Sequence, residues 1–432
     1  MRALQGSGRM VQGSGRMVQG SGRMVHAAGL AGAVLGAAAI GAAAGLAVER
    51  LALRQATTAA DDPYRNEPFG LLPADRIEVV TTTDGVAIHA EVIEPDLDPL
   101  PPDLTIMFVH GFCLDLGTWH MQRRHLPALL APLGRVRMVF YDQPGHGRSA
   151  DRSAGDYTLE QLGTDLATVL DVLAPAGPVV VAGHSMGGMT LMALAESEPE
   201  RFASRGGRVV GVGLVSTSAG RLDDVGLGLP GPLARARKPL MPALVTGLKL
   251  RPSVLEWGRR AGTDLTYLLT RRYGFGGEHP SPTLVAYVER MIAETSLETI
   301  SGYLLTLSQH ERYAALEVFD GIEALVIGGD KDYMTPLEHS EEIARLLPSA
   351  AFTVINDGGH VALMEHPEVV DIDLVDLVDR SLRYARGNAP EPTLADQQAD
   401  EVARREREEG AVRTGGPSLA SLRRVLRGRR PA

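Results

Sequence analysis

Cysteine occurs once in the 432 residues, at Cys113, which excludes an intramolecular disulfide framework. That fits a reducing compartment, and equally the many exported bacterial enzymes that carry no disulfide. Lysine is nearly as scarce: Lys238, Lys249 and Lys331 are the only three. Arginine therefore supplies the positive charge, and with abundant Ala and Gly this is the composition of a chain from a GC-rich bacterial genome. Positive charge is also in deficit overall. A net charge of −10 weighs against nucleic acid as the main partner, because phosphate binding calls for a basic surface. No P-loop, dinucleotide fingerprint or cluster of metal ligands occurs in the sequence. No cofactor and no metal are expected.

The ends of the chain lack the pattern of core elements. Residues 1–26 contain QGSGRMV three times in succession, from Gln5 to Val25. No apolar seam runs through this heptad, which rules against a coiled coil, and such Gly/Ser repeats stay flexible. A duplicated stretch or an early start codon explains it, with Met10, Met17 and Met24 as rival starts. Residues 27–48 carry no charge, and as a helix they would be roughly 33 Å long, enough to cross a bilayer core. They are read as an uncleaved anchor. The arginines ahead of them favour an orientation with the rest of the chain outside the cytoplasm, with a cytoplasmic protein as the alternative. Residues 49–75 read as a linker. Residues 385–432 are polar and charged, too poor in large apolar side chains to offset their ordering entropy, and read as a disordered tail.

Between these ends, short β-branched runs alternate with helical segments. The runs 77–82 and 86–93 flank Asp84-Gly85, a dipeptide favoured in hairpin turns. The runs 104–110, 135–142, 178–184, 208–216, 323–329 and 351–357 are largely apolar, as strands buried on both faces must be. Helical patterns fall at 118–130, 158–173, 186–195, 337–347 and 367–383. This order predicts an α/β fold: a mostly parallel, doubly wound, eight-stranded sheet with helices on both faces. The first part of the core spans 76–216 and the second 321–384. Residues 217–320 are far too many for a crossover and include helical patterns at 265–271 and 284–293. They are read as an inserted helical cap, placed as a lid.

The sharpest chemical signal is Gly183-His184-Ser185-Met186-Gly187-Gly188, set between an apolar strand and a helical run. A serine there turns out of a strand with its hydroxyl at the top of the sheet, in a bend so tight that glycine is needed on both sides. The following helix aims free amides at the same place, where they favour negative charge. A neutral hydroxyl is a poor nucleophile and needs an imidazole to take its proton. Of the twelve histidines, only His360 lies in a Gly-Gly turn after the last strand. His184 should point elsewhere; His146 and His366 are read as structural. A carboxylate must then orient the imidazole, and Asp332 and its rival Asp330 both follow the strand at 323–329.

These motifs resemble the α/β-hydrolase superfamily, of the fold-1 type with a serine nucleophile, over roughly residues 76–384. His110-Gly111-Phe112 resembles its oxyanion turn, Asp142 to Ser149 its loop after the next strand, Gly329 to Asp332 its acid loop and Gly358-Gly359-His360 its base loop. The resemblance implies a serine esterase with Ser185 as nucleophile, His360 as base, Asp332 as orienting acid, and the backbone amides of Phe112 and Met186 as the oxyanion pair. The implied substrate is a small acyl compound, lipophilic if the anchor holds; oligomeric state is open. Perhydrolase or haloperoxidase-like, peptidase and acyltransferase chemistry on the same triad, or a non-catalytic binding protein, are the alternatives. Trp257, Tyr267, Tyr273, Tyr287 and Tyr303 could line a pocket, although aromatics in a helical lid are more often core. Cys113, beside the oxyanion turn, reads as a small buried apolar residue rather than a reactive thiol. His110 and Asp115 match the spacing of an acyltransferase motif, but the oxyanion turn explains His110 better.

Overall fold

The structure is a computed structural model that describes residues 62–95, 101–152, 157–222, 225 and 263–387. The leader at 1–26, the apolar run at 27–48, the linker as far as residue 61 and nearly all of the tail lie outside the described residues. Among the described residues, no helix is long and apolar enough to cross a membrane.

Eight strands form one sheet: β1 (Arg76–Thr81), β2 (Ala87–Ile93), β3 (Leu104–Val109), β4 (Val136–Tyr141), β5 (Val179–His184), β6 (Val209–Val215), β7 (Glu323–Gly329) and β8 (Ala351–Ile355). Their order is β1-β2-β4-β3-β5-β6-β7-β8. Strand β2 runs antiparallel to β1 and β4, and every later pairing is parallel. The hairpin turns at Gly85, whose φ of 87° needs a residue without a Cβ. The apolar runs are strands because the sheet is covered on both sides. Successive residues of β3 alternate between the faces: Ile106 and Phe108 join one core with Leu126, Leu130, Leu374 and Leu377. Met107 and Val109 join the other, with Leu166, Leu170, Leu191 and Leu194.

Those partners come from helices on opposite faces. Helices α1 (His120–Leu130), α2 (Leu159–Leu173) and α3 (Met186–Ser197) precede the insertion. Within it lie α4 (Thr263–Gly274), α5 (Pro282–Glu294), α6 (Leu297–Ser308) and α7 (Ala315–Phe319). Helices α8 (Leu337–Leu346), α9 (Ala362–Glu365) and α10 (Pro367–Ala385) complete the second part. The doubly wound sheet and its eight strands follow the sequence reading. A tight turn at Leu116–Trp119 replaces the first residues expected of α1, because Asp115 caps it by accepting from the Gly117 amide at 2.7 Å. Strand β8 stops two residues before the run at 351–357 does, where Asp357 takes a positive φ of 57°.

Helix α6 falls in the stretch read as a helical cap but is not among the helical patterns singled out there. Thr299, Ile300 and Gly302 are poor helix formers in an exposed setting, yet tertiary packing overrides them. Ser296 caps the helix on the Thr299 amide at 3.1 Å. Gly302 leaves room for the Tyr157 ring, which a Cβ there would meet at 2.3 Å.

Candidate active site

Only Ser185 separates the end of β5 from the start of α3. Turning a strand into a helix across one residue puts it at φ 52° and ψ −118°, a conformation that costs a non-glycine residue on the order of 1–3 kcal/mol. Hydrogen bonds hold it there. The Ser185 amide donates to the Val215 carbonyl at 3.0 Å. Its own carbonyl accepts from Thr217 Oγ1 at 2.7 Å and from the Gly188 amide at 3.0 Å. The flanking glycines are needed for space: a Cβ on Gly187 would stand 2.2 Å from the Val109 carbonyl oxygen, and one on Gly183 2.5 Å from the Gly188 nitrogen. Both obstacles are backbone, which cannot rotate away. Gly187→Ala is therefore expected to destabilise the protein by about 1–3 kcal/mol or more, read as a lower urea midpoint.

The residues that close on this serine come from two far segments. His360 lies between β8 and α9, and its Nε2 stands 2.9 Å from Ser185 Oγ. Its Nδ1 stands 2.9 Å from Asp332 Oδ2. A carboxylate can only accept, so Nδ1 carries the ring proton and the bare Nε2 accepts from the serine hydroxyl. Asp332 is fully buried as a side chain, and its rival Asp330 is exposed. Burial pushes the Asp332 carboxyl upward. The His360 charge, with hydrogen bonds from His360 and Thr335, outweighs burial and holds it below the usual carboxylate value. The amides of Met334 and Thr335 donate to Oδ1 at 2.7 and 2.9 Å. Thr335 Oγ1 lies 2.8 Å from Oδ2 and 2.9 Å from the Ser216 carbonyl. Both carboxylate oxygens are thus fixed, and with them the plane of the imidazole.

The turn after β3 meets the serine from the other side. Gly111 packs so close that a Cβ on it would lie 3.1 Å from Ser185 Cβ. Among the described residues, no hydrogen-bond acceptor is found for the Phe112 or the Met186 amide. Two neutral histidines brace this turn. His110 donates from Nδ1 to the Gly111 carbonyl at 2.8 Å and accepts the Gln143 amide on Nε2 at 2.8 Å. His146 donates to the Pro144 carbonyl at 3.0 Å and accepts the Cys113 amide at 3.2 Å. Burial lowers His146 to about 4 and takes His110 well below its ordinary value, so each keeps one donor and one acceptor at neutral pH. Gln143 ties the turn to α3, donating to the His110 carbonyl at 2.7 Å and accepting from Thr190 Oγ1 at 2.8 Å. Burial pushes the Cys113 thiol up, away from thiolate chemistry.

His184 does turn away from the hydroxyl, but it lies against His360. Its Nε2 donates to the His360 carbonyl at 2.9 Å, and burial, then the His360 charge, lowers it to about 3. Sequence position alone gave no sign of this contact. Tyr303 is wholly buried, stacked on His146 with ring centroids 5.7 Å apart. Tyr287 is core, stacked on Phe69 at 4.5 Å. Trp257 lies outside the described residues.

A family model for the alpha/beta hydrolase fold matches residues 105–367. The chain belongs to the alpha/beta-hydrolase family of enzymes. Over 278 residues it is 30% identical to the dihydrolipoyllysine-residue acetyltransferase component of the acetoin cleaving system of Pseudomonas putida, covering 62% of this chain and 61% of that protein. The chain thus spans less than two thirds of that relative's length. It is 28% identical to the sn-1-specific diacylglycerol lipase ABHD11 of Mus musculus, over 63% of this chain and 83% of that one. Among solved structures, an esterase of Thermogutta terrifontis shares the fold with a TM-score of 0.52 and 24% identity, covering 71% of this chain and 99% of that one. An esterase of Exiguobacterium antarcticum shares it with a TM-score of 0.53 at 20% identity, over 69% and 98%.

Proposed function

We propose that the protein hydrolyses carboxylic esters, or related small acyl compounds, through an acyl-serine intermediate. The observation that carries this reading is the line from Ser185 Oγ through His360 to Asp332, with 2.9 Å at each step. Ser185, His360 and Asp332 take the roles of nucleophile, general base and orienting acid. His360 Nε2 removes the hydroxyl proton as Oγ attacks the substrate carbonyl carbon. The oxyanion so formed takes hydrogen bonds from the Phe112 and Met186 amides, aided by the N-terminus of α3. Collapse breaks the bond to the alcohol, which leaves with the proton held on His360. Water then repeats the sequence on the acyl carbon and frees the acid.

The helices between β6 and β7 act as a cap in this reading. Leu307 of α6, with Phe112 and Leu222, packs against the apolar cluster of Tyr157, Met186, Met189 and Tyr303 beside the serine. Such walls favour an apolar acyl chain, and an apolar substrate would suit attachment to a membrane through residues 27–48, for which the support is the length of that uncharged run alone. Relatives named as a diacylglycerol lipase and as a pimeloyl-[acyl-carrier protein] methyl ester esterase act on acyl esters.

The test is turnover of p-nitrophenyl esters from acetate to decanoate, with acid-quenched samples weighed intact by mass spectrometry. The expected result is hydrolysis that improves from acetate toward longer chains, with an acyl mass on the peptide containing Ser185. Folded protein that turns over none of the esters contradicts the reading. Acyl transfer to an added alcohol in preference to water would redirect it to the acyltransferase alternative.

A further inference from the structure

His360 sits in a loop that has little to hold it in place by itself. The two residues before it are Gly358 and Gly359, which gain more backbone freedom on unfolding than any other residue type. Yet a misplacement of about 1 Å in such a group can cost about a hundredfold in rate. Something must fix this loop.

The side chain best placed to do so is Glu365, five residues beyond the base at the end of α9. Its Oε2 accepts the Gly359 amide at 2.8 Å. Its Oε1 accepts the amides of Gly276 at 3.0 Å and Gly277 at 3.3 Å, and Gly276 also lies 3.2 Å from Oε2. Gly276 and Gly277 belong to the insertion, directly after α4. One carboxyl thus gathers backbone donors from the insertion and from the base loop. Among the described residues, no arginine or lysine pairs with it. Burial raises the Glu365 carboxyl above its ordinary value, and the three amides work against that. A half-buried carboxyl hydrogen-bonded to three backbone amides, with the neighbouring His366 adding a weaker electrostatic contribution, is a costly feature to maintain without a positional use.

Further contacts join the same two segments. The Val361 amide donates to the Gly274 carbonyl at 2.9 Å. The backbones touch so closely that a Cβ on Gly359 would lie 2.4 Å from the Gly276 nitrogen, and one on Gly276 2.5 Å from the Asp357 carbonyl. Phe275 between them is buried in the same core as Val361. The insertion therefore contributes a fixed brace at 274–277.

We propose that Glu365 is a positioning residue that clamps segment 274–277 of the insertion to the base loop, and so sets His360 at bonding distance from Ser185. This rests on the serine-hydrolase reading. It makes segment 274–277, midway along the insertion, a part of the catalytic frame, so any opening toward substrate takes place elsewhere in the insertion.

The experiment compares wild type with Glu365→Gln and Gly276→Ala, each normalised to the sites titrated by a fluorophosphonate probe. Glutamine keeps the size but turns one acceptor oxygen into a donor that faces an amide. Alanine strikes the same contact from the insertion side. Both variants are expected to lower kcat per titrated site by about 10- to 100-fold with KM within about twofold, and to slow probe labelling by the same factor. A merely structural role would reduce the number of titratable sites and leave kcat per site at the wild-type value, which would overturn the proposal. Wild type that takes no label contradicts the hydrolase reading instead. Hydrogen exchange on the wild type gives an answer that needs no variant. The amides of Gly276, Gly277 and Gly359 should exchange slowly and together as one unit; protection of Gly359 with free exchange at Gly276 and Gly277 would also overturn the clamp.

Discussion

Ser185→Ala is expected to lower kcat/KM for p-nitrophenyl esters by about 10⁴- to 10⁶-fold while leaving the protein folded and able to bind substrate. The loss is large because the remaining groups have no covalent chemistry of their own. In the proposed mechanism His360 without the hydroxyl would at best activate a water, and the amides of Phe112 and Met186 would stabilise an oxyanion only once an attack has made one. Residual rate above the uncatalysed reaction should survive in the variant, since neither the oxyanion turn nor its bracing by His110, His146 and Gln143 involves the Ser185 side chain. Stability should hardly change. The conformation of residue 185 is fixed through its backbone by Val215 and Thr217, and alanine bears the same Cβ.

Asp332→Asn is the second large effect, about 10⁴-fold in kcat, and its origin lies in the proton on the imidazole. The Met334 and Thr335 amides both donate to Oδ1, so an asparagine at 332 must place its oxygen there. Its NH₂ group then occupies the Oδ2 position, 2.9 Å from His360 Nδ1. Two donors cannot share that contact, so the ring takes the other tautomer and presents Nε2–H to Ser185. A base that already carries its proton cannot accept another. The fall should therefore appear in kcat with KM nearly unchanged, in contrast to the smaller effect of Glu365→Gln, where the tautomer is intact and only the placement is loosened. A loss of less than about tenfold would mean that Asp332 does not set the tautomer.

The parts of this site that could be read in advance are those whose cause is local. The bend at Ser185 needs Gly183 and Gly187 within two residues of it, and a strand before and a helix after, all of which stand in one stretch of chain. The strands were legible because each is buried on both faces and carries an unbroken apolar run; β3, with Ile106 and Phe108 on one side and Met107 and Val109 on the other, has no polar face to confuse it. Asp332 and Asp330 could not be separated by the residues alone, since both follow Gly329 within three positions; they differ in that one is buried against His360 and the other faces solvent.

What stayed hidden depends on contacts between distant segments. Glu365 reads as an ordinary charged residue of a helix end, and its three donors lie six residues back in one case and almost ninety in the others. His184 is one step from the serine in sequence, yet its partner is the carbonyl of residue 360. Helix α6 carries Gly302 where the Tyr157 ring leaves no room for a Cβ, a fit that propensity does not register. In each case a single-residue property was counted correctly, while the partner that gives it meaning sits elsewhere in the fold.

The central claim is that the hydroxyl of residue 185 is the group made nucleophilic by His360. A fluorophosphonate probe reacts with such a hydroxyl and leaves a stable phosphonyl ester, so one measurement goes directly to it: label the folded chain with the probe, digest, and locate the adduct by mass. One phosphonyl group per chain on Ser185, absent after heat denaturation and absent from Ser185→Ala, is the predicted result. Folded wild type that takes no label, or takes it on another residue while Ser185 stays unmodified, would contradict the account.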